Sequence, residues 1–192
     1  MHIDLEPVGF VSGGRAEPED DHWGGERATI QLDPDRFTAD TLKGLDHFSH
    51  VDVVYVFHLV DPSSVTLTAR HPRGRTDWPE VGIFAQRAKG RPNRIGVTTC
   101  RLLGVDGLSV EVEGLDAIDG TPVLDLKPYM VEFAPRGSVH QPDWATELMR
   151  EGIAAAEAEP PADPELLFAH AYVDPPASFG SDLEELRRIL GA

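Results

Sequence analysis

The chain has 192 residues, 41% hydrophobic and 26% charged, enough for one well-buried domain and a small appendage. A formal net charge of −16 excludes a protein that coats nucleic acid through a uniformly basic surface. With no apolar run near the roughly 20 residues of a membrane helix, no basic-then-apolar leader after Met1, and Cys100 as its single cysteine, a disulfide-free cytoplasmic protein is expected.

Val8-Gly9-Phe10-Val11 opens the chain as a short apolar strand broken by Ser12-Gly13-Gly14. A polar, acidic stretch follows to Gly25, and Ala28 to Leu32 alternates as a half-buried strand does. Thr38 to Gly44 predicts one or two helical turns closed by glycine. His50 to His58 is rich in β-branched and aromatic residues and predicts a central strand, with His50 and His58 on one face if it is regular. Val65 to Ala69, Gly82 to Ala85, Ile95 to Leu103, Leu108 to Glu113 and Val123 to Leu126 continue the series, the last closing the core. Cys100 reads as a small core hydrophobe of its strand.

Many short strands separated by glycine and proline indicate a mainly β barrel or sandwich. Helices do not alternate with them, and no G-x-G-x-x-G follows a strand, so a doubly wound nucleotide-binding fold is not expected. Beyond Phe133 the character changes: Pro142 to Arg150 predicts a helix with proline in its first turn, Glu159 to Pro164 a linker, and Ser181-Asp182-Leu183-Glu184 a capping box opening a last helix to Leu190.

Three segments are too polar for simple core. Between Arg70 and Arg94 seven cations face two acids, a local charge of +5, which leaves −21 on the remainder. The stretch Gly82 to Gly96 inside it alternates arginines with glycine and Pro92-Asn93; its guanidinium forks and amides suit a carboxylate or phosphate, and an ordinary cationic hairpin loop would look the same. From Gly114 to Tyr129, Asp116, Asp119, Asp125 and Lys127 are interleaved with apolar residues around an Asp-Gly-Thr-Pro turn, and partly buried carboxylates ordinarily have partners. Gly44 to His50, leading to His58, gathers histidines, but no matching Cys or His pair accompanies them, so no metal site is expected.

Four strings in order, Gly44-Leu-Asp-His-Phe-Ser-His50 with Val-Phe-His58, Val81-Gly-Ile-Phe-Ala-Gln-Arg87, Arg91-Pro-Asn-Arg-Ile-Gly96 and Leu115-Asp-Ala-Ile-Asp-Gly-Thr-Pro-Val-Leu-Asp-Leu-Lys-Pro-Tyr129, resemble the TsaA-like domain, the core of the TrmO family of tRNA methyltransferases. The resemblance covers residues 5–135 and implies a single-sheeted antiparallel or mixed β-barrel there, with short helices in a C-terminal extension, residues 136–192. It also implies S-adenosylmethionine as cofactor, a homodimer, and methylation of the exocyclic amine of threonylcarbamoyl-adenosine beside the tRNA anticodon. Carried over by position, the cofactor contacts are His58, Leu59, Arg87, Val97, Ala117, Ile118, Asp119 and Gly120, with Asp21, His22 and Trp23 from an N-terminal loop. Two departures stand out: Arg94 replaces a common proline, and Ser12-Gly13-Gly14 with an acidic loop replaces Arg-Ser-Pro and a basic one.

Methyl transfer from a sulfonium requires in-line approach more than a strong base, so positioning residues are sought. Asn93 and Asp119 are the catalytic candidates, and Lys89, Arg91, Arg94 and Tyr129 the substrate-binding ones. Three readings follow: a tRNA methyltransferase, the same barrel and cofactor serving a small-molecule acceptor, and a cofactor-binding module without catalysis.

Overall fold

A computed structural model describes residues 2–18 and 24–153. In chain order the strands are β1 (Gly9–Ser12), β2 (Arg27–Leu32), β3 (His50–Val56), β4 (Ala69–Arg70), β5 (Val81–Gly82), β6 (Ile95–Asp106), β7 (Ser109–Glu113) and β8 (Pro122–Pro128), followed by helix α1 (Asp143–Ile153). Six of them close into a barrel in the order β1-β2-β7-β6-β3-β8, every pair antiparallel, while β4 and β5 form a separate two-stranded ribbon. Closure pairs each of the six strands on both sides and so leaves no bare sheet edge.

The alternation in the sequence becomes the inside and outside of this barrel. In β2 Ala28, Ile30 and Leu32 are buried, and in β3 Val51, Val53 and Tyr55, while the residues between them face outward. Val11, Leu42, Cys100, Val110, Val112, Leu115 and Val123 complete the buried core. Each fully buried aliphatic side chain of this kind contributes about 1.5–3 kcal/mol. One long strand serves two neighbours: the first half of β6 pairs with β3 and the second with β7, with Arg101 opposite both His50 and Glu113. A register shift between Leu102 and Gly104 bends the strand from one partner toward the other.

Several expectations are corrected. The helical turns near Thr38 are two 3-10 turns, Ala39–Leu42 and Leu45–His47, separated by Gly44 at φ +85. The central strand stops at Val56, so His58 lies in the following turn and does not share a strand face with His50. Val65 to Thr68 is not a strand, since its polar links run to the 83–90 loop: Thr66 N–H donates to the Gly90 carbonyl and the Thr68 carbonyl accepts from Ile83. Gly82 to Ala85 belongs to the ribbon and a 3-10 turn (Ile83–Ala85) rather than to the barrel. The helix expected from Pro142 is α1; the linker at Glu159 and the helix to Leu190 lie outside the described residues.

β1 and β2 approach so closely at Gly9 that a Cβ there would meet the Gln31 carbonyl oxygen at 2.3 Å. Gly9→Ala is therefore expected to lower stability by about 1–3 kcal/mol, by forcing two paired strands apart. A urea midpoint equal to wild type would show that the pair separates freely. A second prediction concerns Cys100, whose thiol is pushed up to about 12, first by burial and then by the charges of Asp52 and Asp116. The unfolded chain ionises first, so this contribution is intact below about pH 9 and is lost as pH rises toward 12. Cys100→Val should flatten that alkaline loss in urea titrations; an unaltered slope would contradict it.

Candidate active site at one barrel mouth

Antiparallel order puts three connections at one mouth of the barrel: β1 to β2, β3 to β6 through residues 57–94, and β7 to β8 through residues 114–121. Between the last two lies a cleft of about 440 Å³, within the range of small-molecule sites. Its inner wall is aromatic and glycine-lined, with Tyr55, Phe57, Gly96 and Val97, and Asp116 also faces it. Phe84, Arg87, Arg91 and Asn93 line it as well, all four from the connection between β3 and β6.

Tyr55 is the floor. Its ring crosses the Cα of Gly96, where a Cβ would meet ring atoms at 2.4 and 2.5 Å. The hydroxyl hydrogen-bonds Thr98 Oγ1 at 3.1 Å, and the ring meets Phe57 edge-on at 5.3 Å. Burial first, and then the negative charge of Asp116, raise the phenol above its usual range, so it is a neutral hydroxyl. Thr98 and Arg87 oppose that shift in part.

The cationic loop is tied down from within. Gln86, 7% exposed, donates its side-chain amide to the carbonyls of Arg70 (3.1 Å) and Val81 (2.9 Å), stapling the ribbon. Arg91 Nη1 donates to the Gln86 carbonyl at 3.3 Å, and Arg87 Nη2 to the Val97 carbonyl. The ribbon is held in turn by α1. Trp78 is buried, donates Nε1 to Glu147 at 2.9 Å, and lies 6.5 Å from the Trp144 ring. Arg75 stacks over Trp78 at 3.8 Å and reaches Glu147 at 3.5 Å.

Arg87, Asn93, Val97 and Arg91 are thus brought together, and exposed Lys89 sits on the same loop with its carbonyl accepting from Arg91 N–H. His58 and exposed Leu59 form the turn directly after Phe57. Ala117, Ile118, Asp119 and Gly120 form the turn directly after Asp116, but do not line the cleft. Asp119 Oδ1 accepts the Gly13 N–H at 2.8 Å while its own N–H donates to Arg15, so its carboxylate fastens this turn to the end of β1. Arg94 is not among the residues lining the cleft, and its Nη1 donates to the Val60 carbonyl at 2.9 Å. Tyr129 is not brought to this site. It follows β8 at the opposite mouth, where its N–H donates to His50 and its ring meets the His50 ring at 6.4 Å. Asp21, His22 and Trp23 lie outside the described residues.

Tyr55 and Phe57 escape sequence reasoning because their apolar surroundings read as core, and Phe84 because only the cations of its stretch suit a ligand. Asp116 was visible as a carboxylate among apolar residues, but its neighbour Asp119 carried the assignment. Among the described residues no group of three or more His, Cys, Asp or Glu is placed to hold a metal.

Geometry therefore defines a barrel-mouth binding protein with an aromatic inner cleft and a guanidinium rim. The family model described as the tRNA-methyltransferase O N-terminal domain matches residues 17–134. A probable S-adenosyl-L-methionine-binding protein of Methanothermobacter thermautotrophicus is 35% identical over 141 residues, covering 71% of this chain and 97% of that one. The human tRNA (adenine(37)-N6)-methyltransferase is 39% identical over 102 residues, which are 53% of this chain and 23% of the human protein. A crystal structure of TrmO from Pseudomonas aeruginosa superposes with a TM-score of 0.58 at 29% identity, covering 73% of this chain and 62% of that one. The chain belongs to the family of the tRNA-methyltransferase O N-terminal domain. It spans less than a quarter of the human relative and under two thirds of the bacterial structure.

Arg94 has φ +53, a left-handed backbone, and its N–H donates to the Arg91 carbonyl at 2.9 Å. Proline can supply neither that φ nor that donor, so Arg94→Pro is expected to cost about 1–3 kcal/mol. Arg94→Gly should keep the turn and lose only the link to Val60. A melting temperature of Arg94→Pro matching wild type would refute the left-handed turn.

Proposed function

We propose that the protein is an S-adenosylmethionine-dependent methyltransferase acting on tRNA in the cytoplasm, at the exocyclic amine of threonylcarbamoyl-adenosine beside the anticodon. The observation that carries this reading is the convergence at one mouth of an aromatic inner cleft with Arg87 and Arg91 of the +5 segment. Membership of the family, the names of its relatives and the length of the match support it.

The residues present fit the cofactor. Phe57, partly buried at the cleft, offers an aromatic face for a purine, Arg87 a guanidinium for a carboxylate, and Asp116 a carboxylate for an ammonium group. When bound, the cofactor supplies a methyl group activated on sulfur. What this chain's residues supply is position: Arg87, fixed on Val97, orients an anionic group, and Asn93 offers an amide to the acceptor. Arg91 and Lys89 meet the acceptor's own negative charge, including the free carboxylate of a threonylcarbamoyl group. Asp119 acts as a positioning residue, holding the 117–120 turn on Gly13. A homodimer is part of the proposal; Val131, Phe133 and Val139, exposed beyond β8, are apolar surface available for it.

The test is methyl transfer from labelled S-adenosylmethionine to tRNA carrying threonylcarbamoyl-adenosine, read by nucleoside mass spectrometry. Methylated nucleoside is expected, with RNA affinity that falls steeply as salt rises. Arg87→Ala should weaken cofactor binding at unchanged melting temperature. Cofactor binding without transfer would redirect the reading to a small-molecule acceptor, and no cofactor binding would overturn it.

A further inference from the structure

Phe84 is the most conspicuous side chain that the chemistry above leaves unused. It is 79% exposed, yet it stands on a short 3-10 turn between Ile83, 2% exposed, and Gln86, 7% exposed. The turn is fastened at both ends: Ile83 N–H donates to the Thr68 carbonyl at 3.0 Å, and the Gln86 amide grips the ribbon carbonyls of Arg70 and Val81. A large apolar ring is therefore held in water on a rigid mount. Ile83 before it and Gln86 two residues after it are buried, and Phe84 is not.

The surroundings say what such a ring could receive. Phe84 borders the cleft together with Arg87, Arg91 and Asn93, and Lys89 is exposed on the same loop. Cations around one exposed aromatic face, on a chain that is otherwise −21, fit a ligand that is itself aromatic and polyanionic. Single-stranded RNA has that chemistry: bases with π-faces joined by phosphates, read by stacking on aromatic side chains beside a positive groove.

We propose that Phe84 is a stacking platform for one unpaired base of the RNA substrate, next to the base that enters the cleft. This rests on the RNA reading above. The ring takes the base face, while Lys89 and Arg91 take the flanking phosphates. Asn93 remains for the entering nucleotide and Arg87 for the cofactor.

The experiment is binding of a labelled anticodon stem-loop RNA to the full chain, with S-adenosylmethionine affinity, melting temperature and sedimentation measured on the same preparations. Stacking on an aromatic side chain is worth roughly a 5- to 150-fold change in affinity per base. Phe84→Ala and Phe84→Leu should both lose affinity within that range, and Phe84→Trp should retain it, with cofactor affinity, melting and sedimentation unchanged. If Phe84→Leu binds like wild type, apolar area rather than a π-face is at work and the platform is refuted. Unchanged RNA affinity in Phe84→Ala refutes it as well. A loss of cofactor affinity would assign the ring to the cofactor, and a change in sedimentation to a second copy of the chain; either overturns the proposal. Wild-type protein that does not bind the RNA overturns the tRNA reading and the platform together, whereas wild-type binding with an indifferent Phe84→Ala overturns the platform alone.

Discussion

The crossing of Tyr55 over Gly96 is where the core of this protein stops and its binding site starts. On β3 the tyrosine continues the buried column of Val51 and Val53, and on β6 only a glycine leaves room for its ring. The ring closes the barrel interior beneath the mouth and presents a neutral hydroxyl, held by Thr98, beside the Asp116 carboxylate. Everything that lines the cleft is placed relative to that floor. Phe57 packs against its edge, and Val97, one residue beyond Gly96, anchors Arg87.

Much of the barrel was legible because its physics is local. Alternating burial in β2 and β3, and the β-branched density of β3, follow from one buried face per strand. The structure departs from these expectations where a residue's partner lies far along the chain. Val65 to Thr68 alternates like a strand, but its polar contacts are with the loop around residues 83–90, so it lies along that loop and not in the barrel. Tyr129 belongs to the same sequence string as Asp119, yet β8 carries the chain from one mouth to the other between them.

The site shows the same division. Arg87 and Asn93 could be named from their strings and Val97 from its place just after one, while the composition of the arginine-rich loop suited an anion site and an ordinary cationic hairpin alike. What could not be read was what each guanidinium also holds within the fold: Arg87 the Val97 carbonyl, Arg91 that of Gln86, Arg94 that of Val60, and Arg75 the Trp78 ring and Glu147. A guanidinium looks identical in sequence whether it awaits a ligand or clips a carbonyl. The remainder of the chain, at −21, sharpens the contrast with the +5 of this segment.

The ribbon between β3 and β6 has a small interior of its own. Trp78 is its centre, Gln86 its staple, and α1, contributed from beyond the barrel, its outer wall. Such a unit rests on the mouth without sharing the barrel's interior residues. Substitutions in the rim can therefore be accommodated while the floor beneath it is kept. One barrel could in this way serve different acceptors by exchanging a single self-supporting lip.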